Sequence, residues 1–196
     1  MLLEKPNAEL HESCRVVLET ERLVLRRPTL ADVKAIARLA NDRRVAQNTS
    51  RLPYPYTVSD AELFIEFVTR QPRDTNFAIT RDGDLVGGIG IDLGNPDIPE
   101  IGYWLGVPYW GQGYATEAAR AVIDYAFEEF GSAELRAGAR VVNPDSRRVL
   151  EKCGFQWTGV ELRRILSLGG SAPVDRFKLD RGVWTSLKSW RDAVRH

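Results

Sequence analysis

The chain has 196 residues, 43% of them apolar and 28% charged, with 27 basic side chains against 27 acidic ones. That much apolar chain predicts one domain with a core of its own, and a formal charge of zero argues against broad attraction to nucleic acid or to an anionic membrane. The two histidines, His11 and His196, and the two cysteines, Cys14 and Cys153, are too scattered for a clustered zinc site or an imidazole-driven nucleophile, so no metal is expected.

No run approaches the roughly 20 apolar residues of a membrane span. The start of the chain also lacks the basic and apolar blocks of a signal peptide, so a cytoplasmic protein is expected. Residues 1–19 show no periodicity and are read as an N-terminal extension. Glu21 to Arg27 alternates Leu23 and Leu25 with charged neighbours, which predicts a half-buried strand. Thr29, with Asp32 three residues on, predicts the cap of a helix that buries Leu30, Val33, Ile36, Ala37 and Ala40. The loop from Arg51 to Tyr56 holds two prolines and two tyrosines; it reads either as a rigid connection or as the rim of an acceptor pocket.

Ser59 and Glu62 have capping-box spacing and predict a helix through Leu63, Phe64, Phe67 and Val68. Asn76–Thr80 and Leu85–Leu93 read as strands joined at Asp82-Gly83, the strongest short hairpin signal. Asn95-Pro96-Asp97 turns the chain into an apolar strand over residues 98–107, which breaks at Pro108.

A turn with glycines at 111 and 113 follows. Beyond it lies a long helix with Ala115, Ala118, Ala119, Val122, Ile123, Ala126 and Phe127 at helical spacing, and Gly131 at its C-terminal cap. The order strand, glycine turn, helix makes an anion site, because the first helical N–H groups lack partners and carry the positive end of the dipole. A tight connection is the plainer reading of the same turn. Leu135–Val142 predicts another strand. Asn143 caps a short helix with Pro144 in first position, and Gly154 ends it. Two further strands, 155–162 and 174–179, flank a Gly169-Gly170-Ser171 loop. Residues 183–196 are read as a helical tail whose helix, 183–193, buries Trp184, Leu187 and Trp190.

These elements define a mixed α/β (α+β) domain over residues 20–182. Its sheet, of six to seven strands, is expected to be mainly antiparallel and flanked by helices. One parallel pair is expected across the long helix, between 98–107 and 135–142, with a binding site at the end of those strands.

Three runs carry a resemblance to a known family. They are Glu21-Arg22-Leu23-Val24-Leu25-Arg26; Glu100 to Leu105 followed by Tyr109 to Ala118; and Asn143 to Phe155. In this order and at these separations the chain resembles the GNAT superfamily of acetyl-CoA-dependent N-acetyltransferases, in the branch of the RimJ/RimL ribosomal-protein acetyltransferases. The resemblance implies that the parallel strands splay to form a cleft for coenzyme A. Backbone N–H groups of Gly111, Gln112, Gly113, Tyr114 and Ala115 would then hold the pyrophosphate. The pantetheine would lie beside Leu105 and Val107, Asn143 would bond its arm, and Arg148 would lie near the nucleotide. Ser146 matches a position proposed to protonate the leaving thiolate. Two departures stand out: Trp110 occupies a position where many members have Gln or Arg, and Leu150 one where many have an acid tyrosine. The second puts a tyrosine acid in doubt.

Acyl transfer needs a neutral amine, and roughly a tenth of an α-amine with a pKa near 8 is neutral at pH 7. Glu100, at the start of the central strand, is the first candidate for a base, with Asp92 and Glu161 behind it; a solvated strand-end carboxylate is the bland alternative. The expected acceptor is a small-molecule or peptide amine, a ribosomal-protein N-terminus among the options, and the chain is expected as a monomer or homodimer. A CoA-binding sensor without turnover is the competing reading. Tyr103, Trp104, Tyr109 and Trp157 read as core or cleft walls.

Overall fold

The computed structural model describes residues 16–94 and 98–194. His11, Cys14, His196, the turn at 95–97 and all but the end of the expected N-terminal extension lie outside them. Among the described residues, eight strands form one sheet, β1 Val17–Glu19, β2 Val24–Arg26, β3 Asn76–Arg81, β4 Asp84–Asp92, β5 Glu100–Leu105, β6 Glu134–Arg140, β7 Gln156–Ile165 and β8 Gly170–Asp180, in the order β1-β2-β3-β4-β5-β6-β8-β7. That is one strand more than the expected upper number, because Val17–Glu19, assigned to the extension, pairs antiparallel with β2. The expected strand over 98–107 closes at Leu105, where Val107–Tyr109 winds into a short 3-10 turn around Pro108.

The β3–β4 hairpin turns at Asp82 and Gly83 with φ of 52° and 88°. A right-twisted two-residue turn requires positive φ at both positions, which Asp-Gly supplies. All pairings are antiparallel except β5 with β6, and that one holds only at Glu100↔Arg136 and Ile101↔Ala137. Beyond Ile101 the two strands part. β5 stays with β4 and β6 stays with β8, and the gap between them is the cleft.

Among the described residues, six α-helices cover the sheet: α1 Val33–Ala40, α2 Arg43–Ala46, α3 Val58–Thr69, α4 Tyr114–Phe130, α5 Pro144–Lys152 and α6 Arg181–Val194. Strand alternation divides the core between the two faces. Phe77, Ile79, Val86 and Ile101 join Val122, Ala126 and Phe127 of α4, whereas Ala78 and Leu85 join Ile36, Ala40, Ala61 and Ile65 of α1 and α3. Phe127 also stacks on Trp184 of α6 at 4.8 Å between ring centroids.

Three helical expectations shift. The chain enters α1 through a 3-10 turn, Leu30–Asp32, whose three-residue period rotates Leu30 outward to 73% exposure. The cap of α3 is Thr57 with Asp60, not Ser59 with Glu62. Thr57 Oγ1 accepts from the Asp60 N–H at 3.2 Å, and the Thr57 N–H donates to Asp60 Oδ2 at 2.7 Å. That start turns Ala61, Ile65 and Val68 inward and leaves Leu63 and Phe67 at 61% and 58% exposure. On α6 only Trp184 is buried, and Trp190 faces outward.

Candidate active site

A continuous cavity of about 1160 Å³ occupies the split between β5 and β6. Glu100, Leu105, Gly111, Gly113, Tyr114, Ala115, Asn143, Ser146 and Arg148 line it. Val107 and Gln112 do not. Val107, rotated by the 3-10 turn, faces a separate shallow groove beside Leu39 and Arg44. The Gln112 side chain folds back to donate to the Pro108 carbonyl at 2.9 Å.

Gly111 and Gly113 have φ of 73° and 84°, which a Cβ would strain. Among the described residues, no protein group accepts from the N–H groups of Gly111 to Ala115; the first helical bond runs from Glu117 N to the Gly113 carbonyl. Tyr114 buries its ring while its backbone stays at the cleft. That ring lies under two guanidiniums, Arg22 at 4.8 Å and Arg81 at 5.4 Å, and Arg81 also bonds its hydroxyl. Arg22 Nη1 donates to the Gln112 carbonyl at 3.0 Å, which ties the loop to the approach to β2.

The β5 edge is set by ladder alternation. Gly106 N donates to Val86 O at 2.9 Å, so the polar groups of Leu105 point the other way, into the split. The Leu105 carbonyl there accepts from Trp110 Nε1 at 2.8 Å. Trp110 thus fastens the glycine turn to the strand. It leaves the Leu105 N–H as the donor turned into the cleft.

Asn143 caps α5, its Oδ1 accepting from Ser146 N at 3.2 Å. This fixes the first turn and brings Ser146 Oγ to 2.9 Å from the Tyr103 hydroxyl, which also donates to the Ser146 carbonyl at 3.1 Å. Burial pushes the Tyr103 phenol above its ordinary pKa and outweighs the lowering by Ser146, so it stays protonated. Tyr103, read from sequence as a wall, therefore places a protonated hydroxyl beside Ser146 from β5. Period-2 alternation could have found it, because odd positions of β5 face α5. Arg148 is exposed and pairs with Asp145 at 2.8 Å.

Glu100 is gripped by two forks. Arg163 reaches its oxygens at 2.5 and 3.2 Å, and Arg176 at 3.1 and 2.7 Å. Burial raises the carboxyl pKa, but the hydrogen bonds and charges of Arg176 and Arg163 outweigh it and hold the value at about 2. A carboxylate so held scarcely takes a proton near neutrality. The other two candidate bases are also occupied: Asp92 pairs with Arg51, and Glu161 with Arg163 at 3.0 Å and Arg176 at 3.4 Å. Arg163 and Arg176 carried no local motif in the sequence; only the β7–β8 hairpin brings them to β5.

Comparison with known proteins fits this architecture. Residues 22–156 match the acetyltransferase (GNAT) domain family. The chain is 31% identical over 162 residues to the uncharacterized N-acetyltransferase YoaA of Bacillus subtilis, covering 79% of this chain and 90% of that one. Among solved structures it is similar to Mycobacterium smegmatis RimJ in complex with a CoA disulfide, with TM-score 0.73 and 22% identity over 86% of this chain and 87% of that one. It is also similar to RimL, a ribosomal L7/L12 α-N-protein acetyltransferase in complex with coenzyme A, with TM-score 0.72 and 18% identity over 84% and 98% of the two chains. The chain belongs to the GNAT acetyltransferase family, whose reaction is acetyl-CoA-dependent acetyl transfer. Among the described residues, no helix is long and apolar enough to cross a membrane.

Proposed function

We propose that this protein transfers an acetyl group from acetyl-CoA to a primary amine by direct attack with both substrates bound. The observation that carries the reading is the set of amides from Gly111 to Ala115 without protein acceptors, at the mouth of a strand pair that splits after Ile101. The residues fit the coenzyme: φ at both glycines keeps side chains off the amides, and the helix end favours phosphate. Acetyl-CoA supplies an activated thioester.

The chain's own groups then have separate tasks. Loop amides hold the phosphates, and Arg22 adds charge beside them. The Leu105 N–H, turned into the split, is placed to stabilise an oxyanion. Ser146 Oγ serves as proton donor to the leaving sulfur, the Tyr103 hydroxyl at 2.9 Å passes its proton on to Ser146, and the proton released by the amine restores Tyr103. Asn143 positions Ser146. Glu100 is a positioning residue that orders Arg163 and Arg176 rather than a base. Roughly a tenth of an α-amine is neutral at pH 7 without help, and water in the open cleft can take its proton. With Tyr103 present, the main argument for a sensor without turnover weakens.

The test is thiol release from acetyl-CoA over a panel of amines, beside melting curves with and without acetyl-CoA. A rise in melting temperature together with amine-dependent thiol supports the reading. An unchanged melting curve at millimolar acetyl-CoA sinks it.

A further inference from the structure

The half of the cavity away from the glycine turn has an apolar wall and a bare floor. Glu100, Gly102 and Trp104 share one face of β5 by strand alternation. Gly102 is solvent-exposed, has no positive φ, and a Cβ built on it meets nothing within 4 Å. Neither the turn geometry nor packing calls for glycine there, so its effect is to keep open the floor beside Trp104. Leu63 and Phe67, one helical turn apart on α3, line the same cavity while remaining 61% and 58% exposed.

The charges around this half point the same way. Each of its carboxylates is engaged: Asp60 in the Thr57 cap, Asp92 by Arg51, and Glu100 by Arg163 and Arg176. Among the described residues, a substrate carrying further ammonium groups finds no unengaged carboxylate in this half and meets the guanidiniums of Arg51 and Arg163 instead.

We infer that the acceptor is a primary amine attached to an uncharged apolar or aromatic body, which lies over Gly102 between Trp104 and the Leu63–Phe67 ridge. This rests on the acetyl-transfer reading and selects among its acceptors. Polyamines and aminoglycosides are disfavoured. A free arylalkylamine and a peptide that begins with an apolar residue share the chemistry the groove accepts.

The experiment measures kcat/KM by thiol release at saturating acetyl-CoA for 2-phenylethylamine, a peptide with N-terminal Phe, spermidine and kanamycin. One or both apolar amines should exceed the polycations by at least about tenfold, the scale on which an apolar pocket discriminates; which of the two leads identifies the source. Gly102→Val, a residue suited to a strand, should cut the favoured kcat/KM by about tenfold or more while the melting shift with acetyl-CoA persists. Phe67→Asp, at an exposed helix position, should do the same and guards against a folding effect in the first variant. Equal or faster turnover of spermidine or kanamycin overturns the inference, as does an unaffected rate in both variants. Thiol release with polycations alone leaves the acetyl-transfer reading standing and removes only this one, whereas no melting shift and no thiol with any amine removes both.

Discussion

Arg22 holds Glu117 at both ends. Its backbone N–H donates to Glu117 Oε1 at 2.8 Å and its Nε to Oε2 at 2.8 Å, across 95 residues of chain. Thr20 Oγ1 adds a third bond at 2.6 Å. Burial raises the Glu117 carboxyl pKa, but the bonds from Thr20 and Arg22 prevail and leave it below the ordinary range. The carboxylate sits in the first turn of α4, where the dipole favours it. From there it aims the guanidinium at the glycine turn, so two of the three runs that resemble the family are two halves of one contact.

Arg22→Ala should therefore raise KM for acetyl-CoA with little change in kcat, on the order of tenfold, as befits one charge-assisted contact to the loop. Arg22→Lys should recover only part, because a point charge cannot bridge Glu117 and the Gln112 carbonyl together. Initial rates against acetyl-CoA concentration decide it. A fall in kcat at unchanged KM would show that Arg22 does not act through coenzyme binding.

Gly113 permits a second separation. At φ of 84°, Gly113→Ala should cost about 1 kcal/mol of stability in denaturant titrations. Gly113→Glu should in addition abolish the melting shift with acetyl-CoA, by placing bulk and negative charge at the amides. Retention of the full shift by the glutamate variant would move the phosphates elsewhere.

The Glu100 network predicts a pH dependence with a definite sign. The folded carboxyl is held at about 2 against an ordinary 4.5, so its contribution is complete above about pH 5 and is lost as pH falls toward 2. Allowing for partial solvent access, that contribution is on the order of 2 kcal/mol. Glu100→Gln should lower stability at pH 7 and flatten this acid loss. It should leave the pH midpoint of kcat near neutrality in place, since a group at about 2 does not titrate there. A displaced midpoint would restore Glu100 as the base.

Ser146→Ala should reduce kcat by on the order of a hundredfold, the lower range for a positioned acid. Tyr103→Phe should cost a similar factor, and the double variant no more than either alone, because the two hydroxyls at 2.9 Å work in series. Multiplying losses in the double variant, or effects confined to KM, would refute the relay.

Much of the frame was legible locally. Asp82-Gly83 announced its hairpin because both turn residues tolerate positive φ, and Asn143-Pro144 announced α5 because a cap and a missing N–H suit a helix start. The α3 cap was misread by two residues, since Thr57-Asp60 and Ser59-Glu62 have the same spacing and only the extended backbone of Thr57 decides between them. The two arginine forks on Glu100 could not be read, because its neighbours in sequence say nothing of Arg163 and Arg176, 63 and 76 residues away.

Local signals act through hydrogen bonds within a few residues and through the 2.0 and 3.6 periods, so the sequence by itself determined the elements, their faces and the glycine turn at the start of α4. Which charge neutralises which, which hydroxyl stands beside Ser146, and how far β5 and β6 stay together depend on contacts between distant segments. Those contacts have no period to read. Only the folded sheet, which brings Arg176 of β8 and Arg163 of β7 across β6 to Glu100 of β5 and sets Tyr103 beside Ser146 of α5, decided them.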